Sequence, residues 1–222
     1  MVCVLITARN EADRLAETIA ALRAAFPGVQ IVVADDASTD STAQVALQSG
    51  AELVCAPRRL GKGGAATLAA ERLLDGGGEL PLVVLADGDL GASAGELARL
   101  VEAVERGEGD IAVAMFARRV GGGFGLALGA ASWVIRRRTG DSPAAPLSGQ
   151  RAIAPQALHA LVPFARGFGM ETGMAVDAHR AGLRTVELEL ELDHRATGRT
   201  AAGFRHRGRQ LVDILRVYVS RR

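Results

Sequence analysis

The chain has little of several residue types whose abundance would point to particular classes of protein. Aromatic residues make up 4% of its 222 residues, cysteine occurs twice, and Lys62 is the only lysine. Both cysteines lie within apolar runs, so no disulfide framework is expected, and we predict that Cys3 and Cys55 are buried, reduced thiols. A net charge of +1 does not favour nucleic acid as a partner.

Long hydrophobic runs are also missing. No apolar run approaches the roughly 20 residues that a membrane-spanning helix needs. The first residues, MVCVLITARNEA, lack the basic n-region and the cleavage site of a signal peptide. Hydrophobic residues nevertheless make up 49% of the chain and charged residues 23%, which is typical of a globular protein with one substantial core. We therefore expect a cytoplasmic, single-domain protein.

The first half of the sequence alternates short apolar runs with segments of helical periodicity. Continuous apolar runs are typical of strands that are covered on both faces, and such alternation predicts parallel βαβ units. The fold class predicted is therefore α/β, with a Rossmann-like, mostly parallel central sheet and helices on both faces. The predicted strands are residues 2–7, 29–36, 51–56, 80–87 and 110–117, and the predicted helices are residues 11–26, 38–50, 62–78 and 94–107.

The second half is less regular. Helices are predicted near residues 126–138, 155–162 and 169–182, and the alternating segment 184–196 is typical of an exposed or edge strand. Residues 203–222 form a basic amphipathic pattern. The arginines of this tail would either form a solvated face or lie on an anionic membrane surface.

Polar clusters follow each of the first four predicted strands. They read TARNE (7–11), DDASTD (35–40), PRRLGKGG (57–64) and DGDLG (87–91). Because ligands bind beyond the carboxyl ends of parallel strands, these clusters are expected to meet at one edge of the sheet. Each cluster alone could simply cap a helix, but four at one edge indicate a ligand site.

The pair Asp87 and Asp89 carries the clearest chemistry. Two carboxylates this close repel each other, and a hard divalent cation such as Mg²⁺ or Mn²⁺ would remove that repulsion. Such ions commonly bridge one or two carboxylates to substrate phosphates. Such a cation would also neutralise charge on a departing diphosphate, with Lys62, Arg58 and Arg59 adding positive charge nearby. LGKGG is not a Walker A loop, and ITARNEA lacks the glycines of a dinucleotide-binding fingerprint.

Taken in order, the segments TARNEADRL, VVADDASTDST, LGKGGA and LADGDL resemble the motifs of glycosyltransferase family 2, the last of them its DxD motif. The resemblance covers residues 2 to about 119. It implies a GT-A fold, a glycosyltransferase activity on nucleotide sugars, and Mg²⁺ or Mn²⁺ as cofactor. We accordingly predict one GT-A domain over residues 1–222, with a nucleotide-sugar-binding half (1–119), an acceptor half (120–202) and a basic C-terminal helix (203–222).

The same resemblance implies roles for individual positions. Asp89 would bind the metal directly and is a candidate catalytic residue. The positions that would line the nucleoside pocket or contact the nucleotide and its phosphates are Thr7, Ala8, Arg9, Glu11, Asp35, Asp36, Lys62, Asp87 and Gly88.

Two segments of the second half bear on the acceptor. PLSGQRAI (146–153) resembles the SGxRA segment of polyprenyl-phosphate glycosyltransferases. GFGMETGMAVDAHRAGL and LDHRATGR resemble glucosyl-3-phosphoglycerate synthases, which implies a catalytic Glu171 near the sugar and His194 as a further metal ligand. From the residues alone, Glu171 could equally cap a helix, and His194 could be a surface histidine.

The predicted function is transfer of a sugar from a UDP- or GDP-sugar to polyprenyl phosphate or another cell-envelope acceptor, at the inner membrane face. The alternative acceptor is a small soluble acid. A phosphate acceptor is already ionised, whereas a hydroxyl acceptor needs a general base, for which Glu171 is the candidate with Asp177 behind it.

Two other classes of function stay as alternatives. A nucleotidyltransferase usually needs a glycine-rich, basic loop after the first strand, which TARNEAD lacks. The other alternative is a non-catalytic module that binds nucleotide sugars.

Among partners, a second copy of the chain in a homodimer is left open, and nucleic acid is not expected.

Overall fold

The structure of the chain, a computed structural model, describes residues 1–117, 125–193 and 201–221, with only the backbone for 201–207. The described residues form seven strands: β1 Val2–Ala8, β2 Gln30–Asp35, β3 Glu52–Cys55, β4 Leu82–Asp87, β5 Ile111–Phe116, β6 Arg151–Ile153 and β7 Thr185–Leu190. They also form eight α-helices: α1 Leu15–Ala25, α2 Thr42–Gln48, α3 Lys62–Leu74, α4 Ala98–Glu105, α5 Gly125–Thr139, α6 Pro155–Leu161, α7 Met170–Arg180 and α8 Ala201–Ser220.

The strands form one sheet in the order β3-β2-β1-β4-β6-β5-β7. Every neighbouring pair is parallel except those of β6, which runs antiparallel to both β4 and β5. The predicted mostly parallel sheet is therefore confirmed. Strand β6 was not predicted, because three residues are too short to show a periodic pattern.

Helices cover both faces of this sheet. On β1, Val4 and Ile6 pack into a core with α1, α4 and the 3₁₀ turn Gly91–Leu97, whereas Cys3 and Leu5 pack into a second core with α3, α6 and α7. The alternation follows from the pleat, which sends successive side chains to opposite faces. A third, smaller apolar cluster joins α5, α7 and α8.

The two cysteines differ in exposure. Cys3 is the second residue of β1, an interior strand of the sheet, and is 0% exposed. Cys55 is exposed. The prediction that both thiols are buried was therefore wrong for Cys55. Its strand, β3, lies at the edge of the sheet and is covered less completely than the central strands.

The opposite edge agrees with its sequence pattern. The alternating segment TVELEL forms the edge strand β7, and its Glu187 accepts hydrogen bonds from the backbone N–H groups of Ala144 and Ala145. The basic amphipathic tail forms α8. Within the described ranges, no helix combines the length and the hydropathy needed to cross a bilayer.

Candidate active site

The carboxyl ends of β1 and β4 open into a cavity of about 500 Å³. All four predicted polar clusters contribute to its wall, and so does the start of α7. The predicted site residues that line it are Thr7, Ala8, Arg9, Glu11, Asp36, Lys62, Asp87, Gly88, Asp89 and Glu171. The parallel sheet and α7 thus bring together residues that are up to 164 positions apart in the chain.

The floor of the cavity is set by the register of β1 and β4. Thr7 pairs with Asp87, and its hydroxyl donates a hydrogen bond of 3.2 Å to Oδ1 of that aspartate. The backbone N–H of Gly88 then donates to the carbonyl of Thr7 at 3.1 Å. A Cβ atom on Gly88 would lie 3.2 Å from the Cβ of Ala8, so glycine lets the two strand ends approach closely.

Lys62 lies at the centre of the charged part of the site. Its Nζ is 2.6 Å from Oδ1 of Asp87 and 2.9 Å from Oε1 of Glu171. The three side chains come from the start of α3, the end of β4 and the start of α7. The Glu171 side chain is the most buried of the three, at 7% exposure.

Burial and charge act in opposite directions on this cluster. Burial disfavours the ammonium of Lys62, but the carboxylates of Asp87 and Glu171 outweigh it and raise the pKa of Lys62. Burial likewise disfavours the Asp87 carboxylate, yet contacts with Lys62, Gln150 and Thr7 hold its pKa below the usual 3.8. Both groups are therefore charged at neutral pH.

Residues 148–151, which lead into β6, surround this charged cluster. Gly149 makes room for Lys62, since a Cβ there would lie 2.1 Å from Nζ. Gln150 donates its Nε2 hydrogen to Oδ2 of Asp87 at 2.7 Å. The sequence PLSGQRAI indicates only a family resemblance, and it does not predict the contact of Gln150 with Asp87.

Arg151 lies behind Glu171. Its Nε donates to the carbonyl of Ser148 at 3.0 Å and its Nη2 to the carbonyl of Glu171 at 3.1 Å. Its guanidinium is buried, and burial lowers the pKa of Arg151 to about 10, against the opposing effect of Glu171 and Glu187. Arg151 therefore holds the backbone at the start of α7, where Glu171 enters the cavity.

Asp36 organises the loop before α3. Its Oδ1 accepts hydrogen bonds from the N–H groups of Leu60 at 2.6 Å and Gly61 at 3.0 Å. Gly61 has a φ of +79°, a left-handed conformation that glycine adopts without strain. The carboxylate thus sets the position of the loop that delivers Lys62, in addition to lining the cavity.

Asp35 is not among the residues that line the cavity. Its carboxylate accepts hydrogen bonds from the hydroxyl and the backbone N–H of Ser38, the latter at 3.2 Å. The side chains of neighbouring residues on an extended backbone point in opposite directions, which separates Asp35 from Asp36. The geometry therefore gives Asp35 a role in shaping its own turn and no support for the expected nucleotide contact.

The expected reserve base, Asp177, also lies outside the cavity lining. Its Oδ2 is 2.7 Å from Nε of Arg221, beyond the end of α8. Burial raises the pKa of Asp177, and the contact with Arg221 opposes that rise. Glu171 is thus the carboxylate of α7 that lines the cavity, and the geometry gives no support to Asp177 as the second candidate base.

Both carboxylates at the end of β4 line the cavity. Asp87 accepts hydrogen bonds from Lys62, Thr7 and Gln150, and Asp89 follows two residues further on. Among the described residues, no three His, Cys, Asp or Glu side chains form a closed metal cage. A hard cation that keeps its waters and binds substrate phosphates fits such a sparse donor set. His194 lies outside the described residues.

One wall of the cavity comes from residues that sequence reasoning did not assign to the site. They are mainly apolar and belong largely to α5, α8 and the turn before α7: Phe116, Ala127, Leu147, Phe168, Gln210 and Ile214. The Oδ2 of Asp213 on α8 accepts a hydrogen bond from the N–H of Phe168 at 3.2 Å. The amphipathic period of the tail was the available signal, because it marks the inward side of α8.

Comparison with known proteins connects this site to one family. The family model described as "Glycosyl transferase family 2" matches residues 3–150. An uncharacterized glycosyltransferase of Mycobacterium bovis is 31% identical over 216 residues, which cover 93% of this chain and 92% of that protein. Glycosyltransferase AglJ of Haloferax volcanii is 29% identical over 190 residues; the match covers 83% of this chain but only 60% of AglJ.

Solved structures agree with these relatives. Glucosyl-3-phosphoglycerate synthase from Mycobacterium tuberculosis, in complex with Mn²⁺, UDP and glucosyl-3-phosphoglycerate, matches with 25% identity and a TM-score of 0.78, over 100% of this chain and 79% of that chain. Its complex with Mn²⁺, UDP-glucose and phosphoglyceric acid matches with 26% identity and a TM-score of 0.77, over the same shares. The chain therefore belongs to glycosyl transferase family 2 and has the GT-A fold that its four motifs predicted.

Proposed function

We propose that this protein transfers a sugar from a nucleotide diphosphate sugar to an acceptor, with the help of a divalent cation. The observation that carries the proposal is the single cavity in which the four polar clusters, Lys62 and Glu171 meet. Strand ends supply the polar side chains there, and the apolar wall of α5 and α8 closes the other side. Such a cavity suits a ligand with a charged diphosphate and a neutral sugar.

The donor would bind along the ends of β1, β2 and β4. Thr7, Ala8, Arg9, Glu11 and Asp36 line the part of the cavity that would hold the nucleoside. The diphosphate would then lie toward Asp89, the carboxylate that would hold Mg²⁺ or Mn²⁺, with His194 as the further predicted ligand. A bound cation supplies the positive charge that stabilises a departing diphosphate.

Lys62 would position the reacting groups from both halves of the protein. It contacts Asp87 of the donor half and Glu171 of the acceptor half through one ammonium group. Holding two reactants in fixed geometry removes much of the entropic barrier to their reaction. We therefore assign Lys62 to alignment of the two half-sites as well as to the expected phosphate contact.

For the acceptor, we propose polyprenyl phosphate or another cell-envelope acceptor as the leading class. Support comes from the SGQRA segment and from the apolar wall, which offers a surface to a lipid-linked molecule. A phosphate acceptor is ionised at neutral pH and attacks without a general base. In that case Glu171 would orient the sugar through hydrogen bonds.

A small soluble acid is the second candidate acceptor. Its support is the match to complexes of glucosyl-3-phosphoglycerate synthase with phosphoglyceric acid. A hydroxyl acceptor would place Glu171 within reach of the proton that must be removed. The identity of the acceptor therefore decides whether Glu171 acts as a base.

Titration calorimetry with UDP- and GDP-sugars, each with and without Mn²⁺, tests the donor proposal. We expect binding of one nucleotide class that weakens at least tenfold when EDTA removes the metal. A screen for slow hydrolysis across nucleotide sugars then identifies the sugar before any acceptor is known. Failure of every nucleotide sugar to bind in the presence of Mn²⁺ would refute the proposal.

A further inference from the structure

The exposed large apolar side chains of the described residues are concentrated on two adjacent helices. Outside α5 and α8, the only ones among the described residues are Met1 and Leu47. Those on the two helices are Leu126, Leu128, Trp133, Val212, Leu215 and Val219. Leu126 and Trp133 are seven positions apart and share one side of α5, whereas Leu128 does not, and we call these two residues together with Val212, Leu215 and Val219 the α5–α8 face. Exposed apolar patches on a folded protein commonly mark a binding surface.

The two helices that carry this face pack against each other. Val212, Leu215 and Val219 are spaced by three and four positions, so they lie along one side of α8. Trp133 of α5 packs against Tyr218 of α8, with ring centroids 4.8 Å apart. The two helices also share the buried cluster that contains Ala131 and Ile214, which fixes their relative position.

The charged side chains of the two helices are predominantly positive. Arg136 and Arg137 on α5 and Arg209 and Arg216 on α8 are exposed. The sequences of the two helices contain a single acidic residue, Asp213. Its side chain is 17% exposed and accepts the hydrogen bond from Phe168, although it also pairs with Arg216. The face therefore combines exposed apolar groups with unbalanced positive charge.

We propose that the α5–α8 face docks on the surface of a lipid bilayer that carries anionic headgroups. Apolar side chains would enter the headgroup boundary while the arginines attract lipid phosphates, as in helices that lie in the membrane interface. A second copy of the chain fits less well. A two-fold contact would place the same positive face against itself, with only Asp213 to offset the repulsion.

The position of the cavity gives this docking a consequence. Ala127 of α5 and Gln210 and Ile214 of α8 line the cavity from the inner side of the same two helices. Asp213 further connects α8 to Phe168 in the cavity wall. A docked enzyme would thus hold its acceptor side next to the membrane surface. This step rests on the proposed function and assigns a membrane lipid phosphate as the acceptor class.

Trp133 provides an internal probe of docking, because it is the only tryptophan in the chain and is 43% exposed. The full chain is mixed with vesicles of phosphatidylcholine alone or with a third of phosphatidylglycerol. With anionic vesicles we expect co-sedimentation, a blue shift of Trp133 emission and a several-fold loss of acrylamide quenching. Neutral vesicles should produce much less of each effect, and added salt should reverse binding to the anionic vesicles.

Matched variants locate the contact on the molecule. Val219→Asp should abolish co-sedimentation, whereas Leu47→Asp should not, because these two side chains are 60% and 59% exposed but only Val219 belongs to the face. Arg209→Glu should weaken binding at least tenfold, while Arg72→Glu, at an exposed position of α3, should leave it unchanged. Equal effects of face and control variants would overturn the proposal.

Other outcomes separate docking from catalysis. Binding of a nucleotide sugar in calorimetry without any vesicle binding would overturn docking and leave the proposed function intact. Vesicle binding without nucleotide-sugar binding would support docking and overturn the proposed function. Docking would also be overturned if the wild-type chain sediments as a dimer and does not bind vesicles, while Val219→Asp sediments as a monomer. That result would show that the α5–α8 face joins two copies of the chain.

Discussion

The Nζ atom of Lys62 lies 2.6 Å from Asp87 and 2.9 Å from Glu171, so one ammonium group connects the end of β4 to the start of α7. The two carboxylates belong to halves of the chain that carry different substrates in the proposed reaction. The arrangement links the geometry of the donor half to that of the acceptor half. Any change in Lys62 should therefore affect both.

Lys62→Met should lower the free energy of unfolding by about 2 kcal/mol at pH 7, because it leaves two carboxylates without their cation in a partly buried site. Lys62→Arg, which keeps the positive charge, should lower the free energy of unfolding by less. The folded pKa of Lys62 is raised above 10.5, so its stabilisation is complete below that pH and is lost as pH rises through the folded pKa. Urea denaturation between pH 7 and 12 should show the gap between wild type and Lys62→Met closing above 10.5, and a constant gap would contradict this.

Gly149→Ala should lower both activity and stability. The added Cβ would lie 2.1 Å from Nζ of Lys62, so the ammonium group must move away from Asp87 and Glu171. The two carboxylates then lose their cation, as they do in Lys62→Met. We expect kcat to fall at least tenfold and the free energy of unfolding to fall by up to about 2 kcal/mol. Gly95→Ala, where a Cβ meets nothing within 4 Å, is the control and should be active.

Asp89→Asn and Asp87→Asn should fail in different ways. Asp89→Asn should raise the Mn²⁺ concentration for half-maximal activity at least tenfold. Asp87→Asn should destabilise the fold, because Lys62 loses a charged partner there. Metal titration of activity and thermal unfolding of both variants distinguish the effects. A change in metal affinity in Asp87→Asn alone would reverse the assignment.

Glu171→Gln reports on the acceptor. With a hydroxyl acceptor, loss of the general base should lower kcat by about 10² to 10⁴. With a phosphate acceptor, the loss should be below about tenfold, because no proton has to be removed. The leading proposal predicts the smaller effect, measured with the acceptor that supports turnover. Asp177→Asn is the control on the same helix, because Asp177 does not line the cavity.

The two thiols should react at very different rates in the folded chain. Burial, with the charge of Glu52, raises the pKa of Cys3 to about 12, and its side chain is inaccessible. At pH 8 a disulfide-exchange reagent should modify one thiol per folded chain and two in urea. In the folded Cys55→Ser variant, the reagent should modify no thiol. Fast modification of two thiols in the folded wild type would contradict the structure.

Several features of the fold were predictable because local patterns dictate them. Apolar runs alternating with helical periods predict parallel strands, and polar residues after each strand must then meet at one edge. TARNE, GKGG and DGD accordingly lie around one cavity. Gln150 and Arg151 were not predictable in this way, because β6 is three residues long and runs antiparallel to its neighbours.

The sequence by itself determined the family, the mostly parallel sheet and about half of the residues that line the cavity, since these follow from motifs and from periodicity along the chain. Only the tertiary structure decided which carboxylates face that cavity. Asp36 enters it and Asp35 does not, although they are adjacent, and Asp87 is held by Lys62 while Asp89 lies beside it. Such differences depend on strand pleat, loop conformation and contacts between distant segments, which no local pattern records.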